Sequence, residues 1–189
     1  MKRNILAVLL AAALPLSAHA AASSYTLQPA HSYAHFAVNH MGFSTVHGRF
    51  DKTSGKFTLD TAAKSGSLDV SIDVGSVSTG FAKRDEHLRS PDFFNAVEFP
   101  AITYKSTKVV FKGDEPASVE GNLTIHGVTK PVTLTIDAFK CGPNPMSKKD
   151  QCGADAHASI KRSDFDMKAF LPGIGDDIKL TFDVEADKD

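Results

Sequence analysis

Residues 81–99, FAKRDEHLRSPDFFNAVEF, interrupt a chain that otherwise alternates apolar and polar side chains with period two. Phe81, Leu88 and the adjacent Phe93 and Phe94 carry the apolar weight of this segment. Between them lies a dense charged block of good helix formers: Lys83, Arg84, Asp85, Glu86, His87 and Arg89. Pro91 lacks an N–H and restricts the residue before it, so a helix here must stop at about Ser90. A helix of about ten residues does not persist alone in water. Tertiary packing must hold it, most simply by seating the phenylalanines in the mouth of a β structure. The segment is therefore expected to be a helical plug on a barrel.

Strand patterns extend from it in both directions. In residues 66–74, Leu68, Val70, Ile72 and Val74 alternate with Ser67, Asp69, Ser71 and Asp73. One face is buried and one wet, as in an antiparallel sheet. Residues 31–40 put Ala34, Phe36, Val38 and His40 on one face before Met41, Gly42 and Phe43 break the strand. Phe50, Phe57 and Leu59 flank a turn near residues 51–55. Gly48 and Gly55 mark bulges or tight bends, where barrels curve. After the plug, Ile102 and Tyr104 resume extended structure. Leu123 and Ile125 then share a face, as do Leu134 and Ile136, with residues 126–131 read as a glycine-containing hairpin turn. Ala154, Ala156, Ala158 and Ile160 alternate next, small residues that leave room inside. Residues 163–175 are irregular, and Ile178, Leu180, Phe182, Val184 and Ala186 alternate in a last strand.

Eight or so strands with short connections, and no helix long enough for a parallel crossover, imply an antiparallel sheet. Closing the sheet removes its edges, whereas a two-layer sandwich, the alternative, keeps them. An eight-stranded barrel either packs solid or holds one small ligand. The residues alone leave both outcomes open. No internal repeat or domain boundary appears, so residues 23–189 form a single domain.

The N-terminus carries Lys2 and Arg3, an apolar run over residues 5–16 and then Ala18-His19-Ala20, the layout of a secretory signal peptide over residues 1–20. The run is too short to span a bilayer, and cleavage after Ala20 or Ala22 leaves small residues at the required offsets. No cysteine sits there, so neither a lipid anchor nor any stable membrane anchor is expected. The mature protein is expected to be soluble and periplasmic. Removing 20 residues from 189 leaves about 169, one domain by length. Removing Lys2 and Arg3 takes the basic count from 21 to 19 against 22 acids. That balance argues against nucleic acid as a partner, and gives no pull toward an anionic membrane. Cys141 and Cys152 flank a glycine-, proline- and lysine-rich loop, which an oxidising compartment would close with a disulfide contributing about 3 kcal/mol.

Several residue groups invite a chemical reading. The expected inner wall draws on Phe36, Val38, His40, Phe43 and Phe50; on Leu68, Val70 and Ile72; and on Phe81, Leu88, Phe93 and Phe94 of the plug. Beyond the plug it draws on Leu123, Ile125, Leu134 and Ile136, then Ala156, Ala158, Leu180 and Phe182. With 13 phenylalanines and no tryptophan, such a wall suits a long apolar ligand. Arg84, His87 and Arg89 suit a polar head group at the mouth, unless they pair with Asp85 and Glu86 or lie in solvent. His35 and His40 point to opposite faces of one strand, and no histidine set has metal-ligand spacing. No metal or cofactor is expected. The chain has no GxSxG, no cysteine nucleophile beside a histidine and no paired carboxylates on an apolar face, so no enzyme is expected.

The motifs YTLQPAHS (residues 25–32), HFAVNHMGFS (35–44), GRF (48–50), RDEHLRSPDFFNAVEFPAITY (84–104) and GNLTIHGVTKPVTL (121–134) resemble, in order, those of the YceI-like family of exported polyisoprenoid-binding proteins. The resemblance implies an extended eight-stranded antiparallel lipocalin-like β-barrel with a lipid held along its core. It also implies a carrier for an isoprenoid lipid, either a polyprenyl chain or an isoprenoid quinone. The rival readings are a general fatty-acid or amphiphile binder, and a small stress-related enzyme or metal-binding protein acting at the barrel mouth. The cysteine loop departs from the family pattern, and a homodimer stays open beside a monomer.

Overall fold

A computed structural model describes residues 22–189 of the chain. The expected signal segment, with Ala20, lies outside the described residues. Eleven strands join one antiparallel sheet: β1 (Ser23–Leu27), β2 (Tyr33–His40), β3 (Ser44–Phe50), β4 (Thr53–Asp60), β5 (Ser65–Asp73), β6 (Val77–Ser78), β7 (Ala101–Lys112), β8 (Glu115–Ile125), β9 (Val128–Pro143), β10 (Asp150–Lys161) and β11 (Ile174–Lys188). The helix α1 (Ala82–Arg89) lies between β6 and β7.

Eight strands close a ring in the order β1-β4-β5-β7-β8-β9-β10-β11, and β11 pairs back onto β1. Closure depends on the length of β11. Its last residues, 186–188, pair with β1, while Ile174 and residues 178–183 pair with β2. One strand thus seals the barrel at one end and, at the other, extends the sheet through β2, β3 and β6. Directly opposed residues in antiparallel strands share a face. Apolar rungs such as Ile72 opposite Ile102, Tyr104 opposite Leu123, Val119 opposite Leu134 and Leu180 opposite Phe36 therefore line the interior.

The plug forms as its sequence dictates. Helix α1 stops at Ser90, whose ψ of 169° is the extended conformation imposed by Pro91. The Asp85 carboxylate accepts hydrogen bonds from the Thr79 N–H (2.8 Å) and hydroxyl (2.5 Å), which pins the helix start. Turns then fold the chain back: the Phe94 N–H donates to the Leu88 carbonyl and that of Ala96 to the Arg89 carbonyl. Leu88, Phe94 and Ala96 thereby pack on the core.

Two boundaries differ from expectation. The β8–β9 turn is only His126-Gly127, at φ 52° and 74°, the paired positive φ values of a tight two-residue hairpin. The ladder resumes at Val128 and carries Pro131 opposite Asn122, so Pro131 lies in a strand and not in the turn. Likewise β9 and β10 continue beyond the cysteines. Cys141 and Cys152 oppose one another directly and are joined by a disulfide, leaving only residues 144–149 outside the strands.

Candidate ligand cavity and its mouth

Among the described residues, two apolar cavities lie inside the barrel, with empty volumes of about 1120 and 800 Å³ counting their open ends. Ala34, Ile72, Leu123, Leu180 and Phe182 line both, so the two meet at a waist. The first runs toward the disulfide end, past Tyr104, Phe139, Cys152 and Ala154. The second lies beneath the plug, where Leu88, Phe93 and Phe94 roof a wall that includes Ile160 and Ile174.

Most of the expected wall residues are brought together here. Leu68, Val70, Leu134 and Ile136 line the first cavity. Phe36, Val38, Phe50, Leu88, Phe93, Phe94 and Ile125 line the second. Ile72, Leu123, Leu180 and Phe182 belong to both.

Five expected wall residues lie elsewhere. Phe43 sits in the β2–β3 turn with 89% of its surface exposed. Phe81 precedes α1 and is 56% exposed, its ring beneath the Arg84 guanidinium at 5.8 Å. His40 ends β2 opposite Ser44 and Ile174 and lines neither cavity. Ala158 is buried among packed core side chains. Ala156 lies where the β9–β10 register shifts, between Asp155 and Ala156, and the β10 wall of the first cavity is made instead by Cys152, Gly153 and Ala154.

The basic residues of the plug do not line a cavity either. Arg84 donates from Nε to the Thr79 hydroxyl (2.7 Å) and from a terminal nitrogen to the Thr79 carbonyl (2.8 Å), which commits its fork to the helix start. His87 lies 3.0 Å from the Asp92 carboxylate and edge-on to Phe93 and Phe170. Of Arg89, the backbone carbonyl is engaged, by the Ala96 N–H.

Among the described residues, the cation that does reach the cavity is Arg162, just past the end of β10, which no charge motif marks. It is 3% exposed and lines the second cavity. Its Nε donates to the Gly175 carbonyl (2.9 Å), and its terminal nitrogens donate to the carbonyls of Met167 (2.7 Å), Ala169 (2.8 Å) and Ile174 (2.9 Å). Burial pulls its pKa down, opposed by the nearby Asp176 carboxylate, though an arginine stays charged regardless. The inward parity it shares with Ile160 was the available signal. Tyr104 and Thr53 bring buried hydroxyls to the wall of the first cavity. The Tyr104 hydroxyl lies within hydrogen-bonding distance of the Val119 and Val132 carbonyls (2.8 and 3.0 Å), and burial pushes its pKa well up, with Glu120 adding to the shift. Among the described residues, the Thr53 hydroxyl is buried without a hydrogen-bond partner.

This architecture recurs in known proteins. Residues 25–186 match the YceI-like domain. Protein YceI of Salmonella arizonae is 37% identical over 188 residues, covering 98% of this chain and 97% of that protein. The crystal structure of the Campylobacter jejuni YCEI protein superposes with a TM-score of 0.69 at 32% identity, covering 80% of this chain and 90% of that one. A polyisoprenoid binding domain from Saccharophagus degradans shares the fold, with a TM-score of 0.66 at 19% identity, covering 88% and 99%.

Proposed function

The chain belongs to the YceI-like family, and on that premise we propose that it is an exported, periplasmic carrier holding one isoprenoid lipid along the barrel interior. The observation that carries this reading is the pair of apolar cavities joined at a waist by Ala34, Ile72, Leu123, Leu180 and Phe182. Such an elongated space suits a long branched hydrocarbon better than a compact ligand. Each buried CH₂ contributes about 0.8 kcal/mol, so a polyprenyl tail is retained without specific hydrogen bonds. The Saccharophagus degradans neighbour, described as polyisoprenoid-binding, points to the same ligand class. The signal-like N-terminus and the disulfide support export. The role is binding, with the barrel as solvent for the lipid and the plug as its cover.

A fatty acid is the second reading, and Arg162 bears on it. Among the described residues, Arg162 is the only arginine or lysine lining either cavity, and four backbone carbonyls already accept from its fork. A carboxylate head would meet a fork with only one of its five N–H groups uncommitted, whereas a neutral quinone or polyprenol head needs no cation. Native mass spectrometry of delipidated protein given an isoprenoid quinone and excess oleate separates the two. A one-to-one quinone adduct that survives the oleate supports the proposal; an oleate adduct in its place refutes it.

A further inference from the structure

We propose that the plug end of the barrel is a membrane-docking rim: Met41, Phe43, Phe170 and Leu171 enter the interfacial layer of a lipid leaflet and hold the cavity mouth against it while lipid is exchanged. The inference rests on the carrier reading above and adds where the cargo enters.

These four residues are 60%, 89%, 54% and 36% exposed, yet they come from only two segments of the chain. The segments touch, because the Met41 N–H donates to the Gly173 carbonyl at 2.7 Å. The patch is also continuous with the cavity wall. Phe170 stacks on Phe93 at 5.7 Å between ring centroids, and its carbonyl accepts the Ile174 N–H at 2.9 Å. Both Phe93 and Ile174 line the second cavity. Phe170 itself is held at φ 62°, a left-handed conformation that a bulky side chain adopts only at a cost. Residues in such conformations concentrate at functional sites.

Continuity with the mouth decides the occupant. A protein or a second copy seated on this rim would cover the opening through which cargo must pass, whereas a leaflet is where a polyprenyl lipid resides. Charge argues that docking is apolar and not electrostatic. Near the rim, Lys168 lies 2.9 Å from the Asp166 carboxylate and the His87 ring 3.0 Å from that of Asp92. Without residues 1–20 the chain has 19 basic against 22 acidic residues, a small net negative charge that offers no pull toward an anionic surface. Shallow insertion of a few apolar side chains gives weak, reversible contact, which suits loading by collision.

The chain has no tryptophan, so Phe43→Trp installs a single reporter indole outside the cavity wall. Phosphatidylcholine vesicles should shift its emission to the blue, and acyl-chain-brominated lipid should quench it, equally at low and high salt. Met146→Trp, in the hairpin loop at the disulfide end, should not respond. A Phe43→Ser/Phe170→Ser variant should take a fluorescent isoprenoid from detergent with the parent's stoichiometry, but from vesicles on the order of ten-fold more slowly. An indole at residue 43 that ignores vesicles, or parent-like transfer by the double variant, overturns the inference. So does a blue shift that grows with protein concentration without vesicles, because it would put a second copy on the rim. Failure of the parent to take isoprenoid from detergent refutes the carrier reading instead, and the vesicle fluorescence reads the rim independently of that result.

Discussion

Gly48 lies directly opposite Phe36 on β3 and β2, and the Phe36 ring fills the space that a side chain on Gly48 would need. A Cβ there would lie 2.3 Å from Phe36 Cζ and 2.7 Å from Cε1. The absence of a side chain on one strand thus sets the position of a ring that lines the second cavity on the next. Gly48→Ala must push that ring away, and overpacking of this kind costs about 1–3 kcal/mol. Urea denaturation should show the loss, and a companion Phe36→Leu change should recover much of it. An unchanged midpoint for Gly48→Ala would mean that the ring is not held there.

Arg162 ties the connection between β10 and β11 to the barrel through four carbonyls. Arg162→Met leaves the buried Met167 carbonyl and three partly buried ones without this donor, at a cost of about 3 kcal/mol. Hydrogen exchange should rise first across residues 166–175. Arg162→Lys should not restore stability, because an ammonium cannot reproduce the planar fork. Full rescue by lysine would contradict this role.

The unpartnered Thr53 hydroxyl predicts a gain. Thr53→Val swaps it for a methyl group of similar shape beside the first cavity, which removes a buried unsatisfied group. The variant should be about 1 kcal/mol more stable by thermal or chemical denaturation. A loss of stability would mean that the hydroxyl is hydrogen-bonded in solution.

Asp189 supplies a pH dependence at the barrel seam. Its carboxylate accepts hydrogen bonds from the Ser24 hydroxyl (2.6 Å) and the Thr26 hydroxyl (2.5 Å) and lies 3.2 Å from Lys56 Nζ. These contacts hold its pKa down at about 2. A depressed carboxylate stabilises the fold above its unfolded pKa, about 3.9, and that contribution is lost as the pH falls through the folded value. Exchange of the β1 amides should therefore accelerate between pH 4 and pH 2. Asp189→Asn should flatten that dependence; the same acid response in the variant would assign it to another group.

Local pattern in the sequence goes a long way here, and its failures share a cause. Alternation at residues 66–74 and 178–186 identifies inward faces correctly, and Pro91 ends α1 near Ser90 as expected, in a helix of 8 residues, not ten. Period two states which face a side chain takes, but not how far along the barrel axis it sits. Phe43 and Phe81 are accordingly apolar yet exposed beyond the mouth, and Ala156 sits at a register shift. The sharing of β11 between β1 and β2 is a long-range pairing with no local signature. Arg162 was hidden because its partners are backbone carbonyls of an irregular segment, which no side-chain motif reveals.

The most direct test of the carrier account is mass spectrometry of organic-solvent extracts from the protein purified from its native exported fraction. The account predicts one polyprenyl lipid or isoprenoid quinone per chain, displaced in an Ala34→Phe variant that blocks the waist between the cavities. A lipid-free protein, or a mixed fatty-acid population insensitive to that substitution, would contradict it.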